Sequence, residues 1–256
     1  MTLARRAIVA LAVTAGIAAP AASETFSSDY IVTVRGLTVA KARFAGKVDA
    51  QRYEVEGSLS SSGVGRLLSQ TAATARSAGS FAAHTPSPES FVLSYVQGGY
   101  NAKTELLFKN GNAVKTRFEP DWKAGPDIIP VKPGDLQSVA DPMAATVVAR
   151  GTPEEICGRT LRMFEGGTRI DVQLSLSSVG FIEGAGNNAV TCRGDFIPVA
   201  GMRSDSPSYN YLRAKSDLEV IYIPAGRGGL HLLHSMSAKT DIGRVQIRSY
   251  RRSVKG

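Results

Sequence analysis

The chain is poor in the residues that most often carry chemistry. Among 256 residues there are two cysteines, three histidines and one tryptophan. Two cysteines are too few for a four-thiolate zinc site. They do not form C-x-x-C, which argues against a thiol oxidoreductase. Three histidines leave little for imidazole-based metal or acid–base chemistry. No G-x-S-x-G elbow is present, so none of the many serines has an evident activating base. Beyond the first two dozen residues no apolar run reaches the roughly 20 residues needed to span a bilayer. Charged residues make up 20% and hydrophobic ones 43%, the balance of a chain that packs a core.

The first residues read MTLARRAIVALAVTAGIAAPAASETF. Arg5 and Arg6 form a basic start, Ala7–Ala19 is an uncharged apolar run of signal-peptide length, and small residues follow. Cleavage after Ser23 is expected, giving a signal peptide over 1–23 and a β-rich periplasmic domain over 24–256. No cysteine lies near the cleavage region, which excludes a lipoprotein anchor. Arg5-Arg6 raises a twin-arginine signal, but its usual flanking residues are missing and ordinary secretion is the better reading. An exported chain with an even number of cysteines predicts a Cys157–Cys192 disulfide. Closing a loop of about 36 residues, it would be worth roughly 3–4 kcal/mol.

The dominant sequence period is two. Arg52–Leu59 and Arg169–Leu176 alternate polar with apolar or small residues, and Val114–Glu119 does so more weakly. Further strands are expected at 30–35, 39–47, 91–96, 103–108, 190–199, 218–223, 230–236 and 244–251. Asn110-Gly111 between two such runs is the strongest hairpin signal. Short helices are expected at 64–69, at Asp141-Pro142 and at 208–215. About a dozen single-sided strands with short connections predict one large antiparallel sheet that curls, as an open or spiral barrel. The Pro120–Pro133 segment either links two halves of that sheet or is a long functional loop.

Gly184-Ala185-Gly186-Asn187-Asn188-Ala189 matches a dinucleotide-binding pattern by letter, but a strand follows it where a helix is required, so it reads as a hairpin loop. His231 and His234 are three apart, which on a strand places them on opposite faces. They and His84 read as solvated or edge histidines, and no metal or cofactor is expected. Glu54 and Glu56 read as a wet face, and Glu154-Glu155 as part of a Pro-containing loop. The C-terminus carries Arg244, Arg248, Arg251 and Arg252. These are candidate contacts for an anionic partner, or a basic edge strand that resists aggregation. Phe44, Tyr53, Phe91, Phe108, Phe118 and Leu174, with Leu59, Tyr95, Ile170, Leu176 and Leu218, are expected to face inward, as packed core or as the wall of a lipid-sized cavity.

Tyr30–Ala40 followed by Arg52–Gly57 resembles the start of an exported bacterial family, domain of unknown function 3108. Gly134–Leu136 with Asp141–Ala145, Cys157–Leu161 with Phe164–Gly166, and Thr191–Arg193 with Ile197–Gly201 are similar to its alphaproteobacterial branch. The resemblance implies a periplasmic, sheet-rich protein and offers no catalytic residue. The expectation is a non-enzymatic periplasmic protein that binds a lipidic or protein partner in support of the cell envelope. Peripheral contact with a membrane surface is expected, without spanning and without nucleic acid. An envelope hydrolase acting on glycan or ester, and a scaffold without ligand, are the alternatives.

Overall fold

The computed structural model describes residues 23–256 except His84, Ser216, Arg227 and Gly228. The expected signal peptide, apart from Ser23, lies outside the described residues, as does His84. The first half of the chain runs β1 (Glu24–Val34), β2 (Leu37–Val48), β3 (Arg52–Ser61), α1 (Gly65–Leu68), β4 (Thr71–Ala82), β5 (Thr85–Gln97), β6 (Tyr100–Lys109) and β7 (Asn112–Glu119). The second half runs α2 (Pro142–Thr146), β8 (Val148–Arg150), α3 (Pro153–Cys157), β9 (Thr160–Phe164), β10 (Arg169–Ile182), β11 (Gly186–Ala200), α4 (Pro207–Ala214), β12 (Leu218–Pro224), β13 (Leu230–Thr240) and β14 (Gly243–Lys255).

These strands form a 14-stranded sheet in the order β7-β6-β5-β4-β3-β2-β1-β14-β13-β12-β11-β10-β9, with β8 paired to β13. Neighbouring strands are antiparallel throughout. The sheet curls into a near-closed barrel whose first and last strands meet in its middle. Antiparallel connections need only tight turns, and the sequence supplies them. Asn110 (φ 53°) and Gly111 (φ 74°) both adopt the left-handed conformation that a two-residue hairpin demands.

The seam between β7 and β9 is stitched by the segment that follows Pro120–Pro133. Val139 N–H donates to the Gly111 carbonyl at 2.8 Å on the β6–β7 turn. Ala140 N–H donates to the Arg162 carbonyl at 2.8 Å, and its own carbonyl accepts from Phe164 N–H at 2.9 Å. The proline-containing segment thus links two halves of one sheet.

The chain then turns inward. Asp141 caps α2, and Met143, Ala144, Val147 and Val148 are buried against wall residues including Val55, Phe91, Leu106 and Leu232. A second buried group holds Tyr30, Ile156, Cys157, Leu174, Cys192 and Tyr222. Full burial of each large apolar side chain contributes about 1.5–3 kcal/mol. Two inner-face glycines make room for rings. A Cβ on Gly46 would come within 2.8 Å of Phe26, and one on Gly57 within 2.8 Å of Phe44. Cys157 and Cys192 form a disulfide with Cα atoms 5.3 Å apart, tying the end of α3 to β11.

Several sequence expectations are corrected. Thr71–Ala82 is a strand that is not among those expected, because its Ala- and Ser-rich composition carries almost no β preference. Glu154 and Glu155 belong to a helix, α3, whose Thr152 and Glu155 form a reciprocal cap. Leu176 is exposed, because β9 accompanies β10 only from Arg169 to Gln173. β14 is no edge: it lies between β1 and β13.

Candidate functional site

Of the residues expected to face inward, Tyr53, Phe91, Phe108 and Leu174 are buried in the two cores and Phe44 packs between them. Phe118 is half-buried against Trp122, ring centroids 5.4 Å apart, at the seam. Two clefts of about 730 and 740 Å³ lie elsewhere. The exposed residues Ser58, Ser60, Ala72 and Thr74 line the first, and Glu54, Glu56 and Arg76 the second, so both belong to the outer side of the sheet.

A polar cluster lies in the interior around Asp141. The Asp141 side chain is fully buried. Its carboxylate accepts from Ser77 Oγ at 2.7 Å and from Ala144 N–H at 3.0 Å. The Tyr53 hydroxyl lies buried beside them without a hydrogen-bond partner. Burial raises the Asp141 carboxyl to about 6 and pushes the Tyr53 phenol well above its ordinary value. Asp141 is legible in the sequence as a helix cap. Its burial is not, because Ser77 and Tyr53 are brought to it from 64 and 88 residues away.

The four C-terminal arginines divide. Arg244 is engaged by Asp217 at 2.8 Å and by Ser237 Oγ at 3.1 Å. Arg251 pairs with Asp29 at 3.3 Å and lies over the Tyr250 ring. Arg252 donates to the Ala185 carbonyl at 3.0 Å. The Arg248 side chain has no hydrogen-bond or ion-pair partner among the described residues.

Two irregularities bring Arg248, Arg251 and Arg252 to one place. In β14, Tyr30 faces Ser249 and Asp29 faces Arg251, so Tyr250 is an extra residue. This bulge breaks the strict alternation expected of the strand. Arg251 goes to Asp29, and Arg252 falls opposite the buried Ser28. In β13, Ile221 faces Ser235 and Tyr222 faces Leu233, so His234 is the extra residue. Pairing between β13 and β14 ends at Ser235 and Arg248. Beyond that point the strands fork. The fork forms a cavity of about 560 Å³ lined by Glu183, Gly184, His234 and Arg248–Arg252.

His234 is 3% exposed, and its Nδ1 is buried without a partner. Burial lowers its pKa first, with Arg252 and Arg248 adding to the effect. His231 is also buried, with Nδ1 2.9 Å from the Gly229 carbonyl, so neither is the solvated or edge histidine expected from spacing. The Gly184–Ala189 segment is a hairpin connection, and its tip forms one wall of the fork. The sequence identifies the arginines of this site. It does not reveal His234 or Glu183, because their approach depends on two bulges and a distant hairpin.

A second surface feature lies on β10. Among the described residues no strand accompanies Ser175–Ile182 on the side facing away from β11, and Leu176, Val179 and Phe181 are exposed, Phe181 by 73%. No described helix is long and apolar enough to cross a membrane.

Comparison with known proteins places the chain in a family. No curated protein matches the chain. The crystal structure of a beta-barrel-like protein of domain of unknown function DUF1849 from Brucella abortus is similar, with TM-score 0.48 and 7% identity over 90% of this chain and 98% of that one. Residues 29–248 match the family described as protein of unknown function (DUF3108), and the chain belongs to that family.

Proposed function

We propose that this is a non-enzymatic periplasmic protein, exported by a cleaved signal peptide, that binds a lipidic or protein partner in support of the cell envelope and does so from its outer surface. It belongs, on this reading, to an alphaproteobacterial branch of the family. The supporting observation is the interior: α2 and β8 cross it, and Met143, Ala144, Val147 and Val148 fill the space a carried lipid would need. A barrel packed in this way presents its partner-binding groups outside. The basic fork on β14 suits an anionic group. The unaccompanied stretch of β10 favours a protein partner, since exposed backbone and apolar side chains on a strand edge support strand addition.

Photo-crosslinking in the periplasm tests this reading. A crosslinker at Tyr250 or Phe181 is expected to trap an envelope component, whereas one at the buried Phe91 or Leu106 is expected to trap only the chain itself. Crosslinks to lipid from the buried positions would contradict it. N-terminal sequencing of the exported chain is expected to begin at Glu24.

A further inference from the structure

We propose that the fork between β13 and β14 is a binding site for a phosphate-bearing ligand, held by the Arg248 and Arg252 guanidiniums beside the buried His234 ring. The proposal deepens the reading of a partner engaged from outside by giving that partner's chemistry, and it rests on that reading.

The charges at the fork are not equivalent. Asp29 already answers Arg251. Arg252 is held by a carbonyl, which fixes its position without neutralising it. Arg248 is free to turn toward a ligand. Glu183 is the carboxylate among the lining residues, so two uncompensated guanidiniums face one acid. A planar guanidinium donates paired hydrogen bonds to two oxygens of one anion, and two of them converging suit a group with three or more acceptor oxygens.

His234 supplies the second, independent observation. A buried ring nitrogen without a partner costs free energy comparable to a lost hydrogen bond. Here that ring lies beside a cavity also lined by Arg248, Arg251 and Arg252. The strand bulges that produce this arrangement are a common device for re-aiming side chains next to a site. At about 560 Å³ the cavity admits a phosphate together with part of its parent molecule.

The chain has three histidines, so the ring resonances of His234 can be followed individually by NMR. Inorganic phosphate added at constant ionic strength is expected to shift them saturably, and chloride is not. Arg248→Gln removes a side chain with no partner among the described residues, so folding should be unaffected while phosphate binding weakens at least tenfold. Glu183→Gln is expected to tighten binding several-fold. Vesicles of phosphatidylglycerol and of phosphatidylcholine then separate the sources. Competition between phosphatidylglycerol vesicles and phosphate points to a lipid headgroup, whereas phosphate binding without vesicle binding points to a soluble phosphate compound. The site is overturned if the shift is equal with chloride, or if it persists unchanged in Arg248→Gln. Interior crosslinks to lipid would refute the outer-surface reading while leaving this titration intact, so the two can fail separately.

Discussion

Asp141 shows how a single side chain links local structure to the stability of the whole barrel. Its carboxylate caps α2 and receives Ser77, yet it does so where water cannot solvate the charge. Its folded pKa, about 6, is raised above the ordinary value of 3.8. The folded state therefore binds this proton more tightly than the unfolded state. The stabilisation is fully present below pH 3.8 and is lost as pH rises through about 6. The gap corresponds to about 3 kcal/mol at neutral pH, as an order of magnitude. Asp141→Asn keeps a capping oxygen and removes the charge. Relative to wild type, this variant should gain stability at pH 7.5 and lose that advantage at pH 4, as read from urea midpoints. An equal pH dependence in both proteins would show that Asp141 does not titrate as described. Asp141→Ala removes the cap and leaves Ser77 and Ala144 N–H without their acceptor, and should cost about 1–3 kcal/mol.

At the level of elements, α3 and the inner-face glycines govern how the interior is held. The disulfide ties α3 to β11 and shortens the free loop of the unfolded chain. Reducing it should remove roughly 3–4 kcal/mol and lower the melting temperature by about 10 °C. An unchanged melt would show that packing of Ile156 alone secures the helix. Gly57→Val should destabilise by about 1–3 kcal/mol, because Phe44 and the Met143 methyl occupy the space its side chain needs. Denaturant unfolding would measure it, and a neutral result would mean that the interior can give way there.

These elements also mark how far the sequence can be read. Strands such as β3 and β10 are plain, because one face is buried and the other wet. β4 is hidden because small residues suffice where neighbouring rings fill the inner face. A Cβ on Gly79 would meet the Tyr53 hydroxyl at 2.8 Å. α3 is hidden because its five residues are too few to show a helical period. The position of β14 is hidden for another reason. Its arginines read as edge protection, while its actual neighbours are set by the meeting of the chain's two ends. The fork is legible only in part, since a bulge shifts every later side chain to the other face and leaves no mark in composition.

For the whole molecule, a curled sheet with an internal segment resolves a choice that composition leaves open. The same inward-facing aromatic residues could wall a cavity or build a core. In the structure α2 and β8 meet them and make them core. On the function proposed above, a partner would meet the outer face, where Arg248 and the exposed residues of β10 lie. Such contacts behave differently from an enclosed ligand. A charged surface partner is released by salt, since at about 0.5 M the screening length is only several ångströms. A lipid packed inside an apolar interior is not. The most direct test is therefore native mass spectrometry, with organic extraction, of the chain purified from its native host without detergent and washed in about 0.5 M salt. The filled barrel predicts the mass of the polypeptide alone and no extracted lipid. One lipid per chain surviving the wash would contradict it.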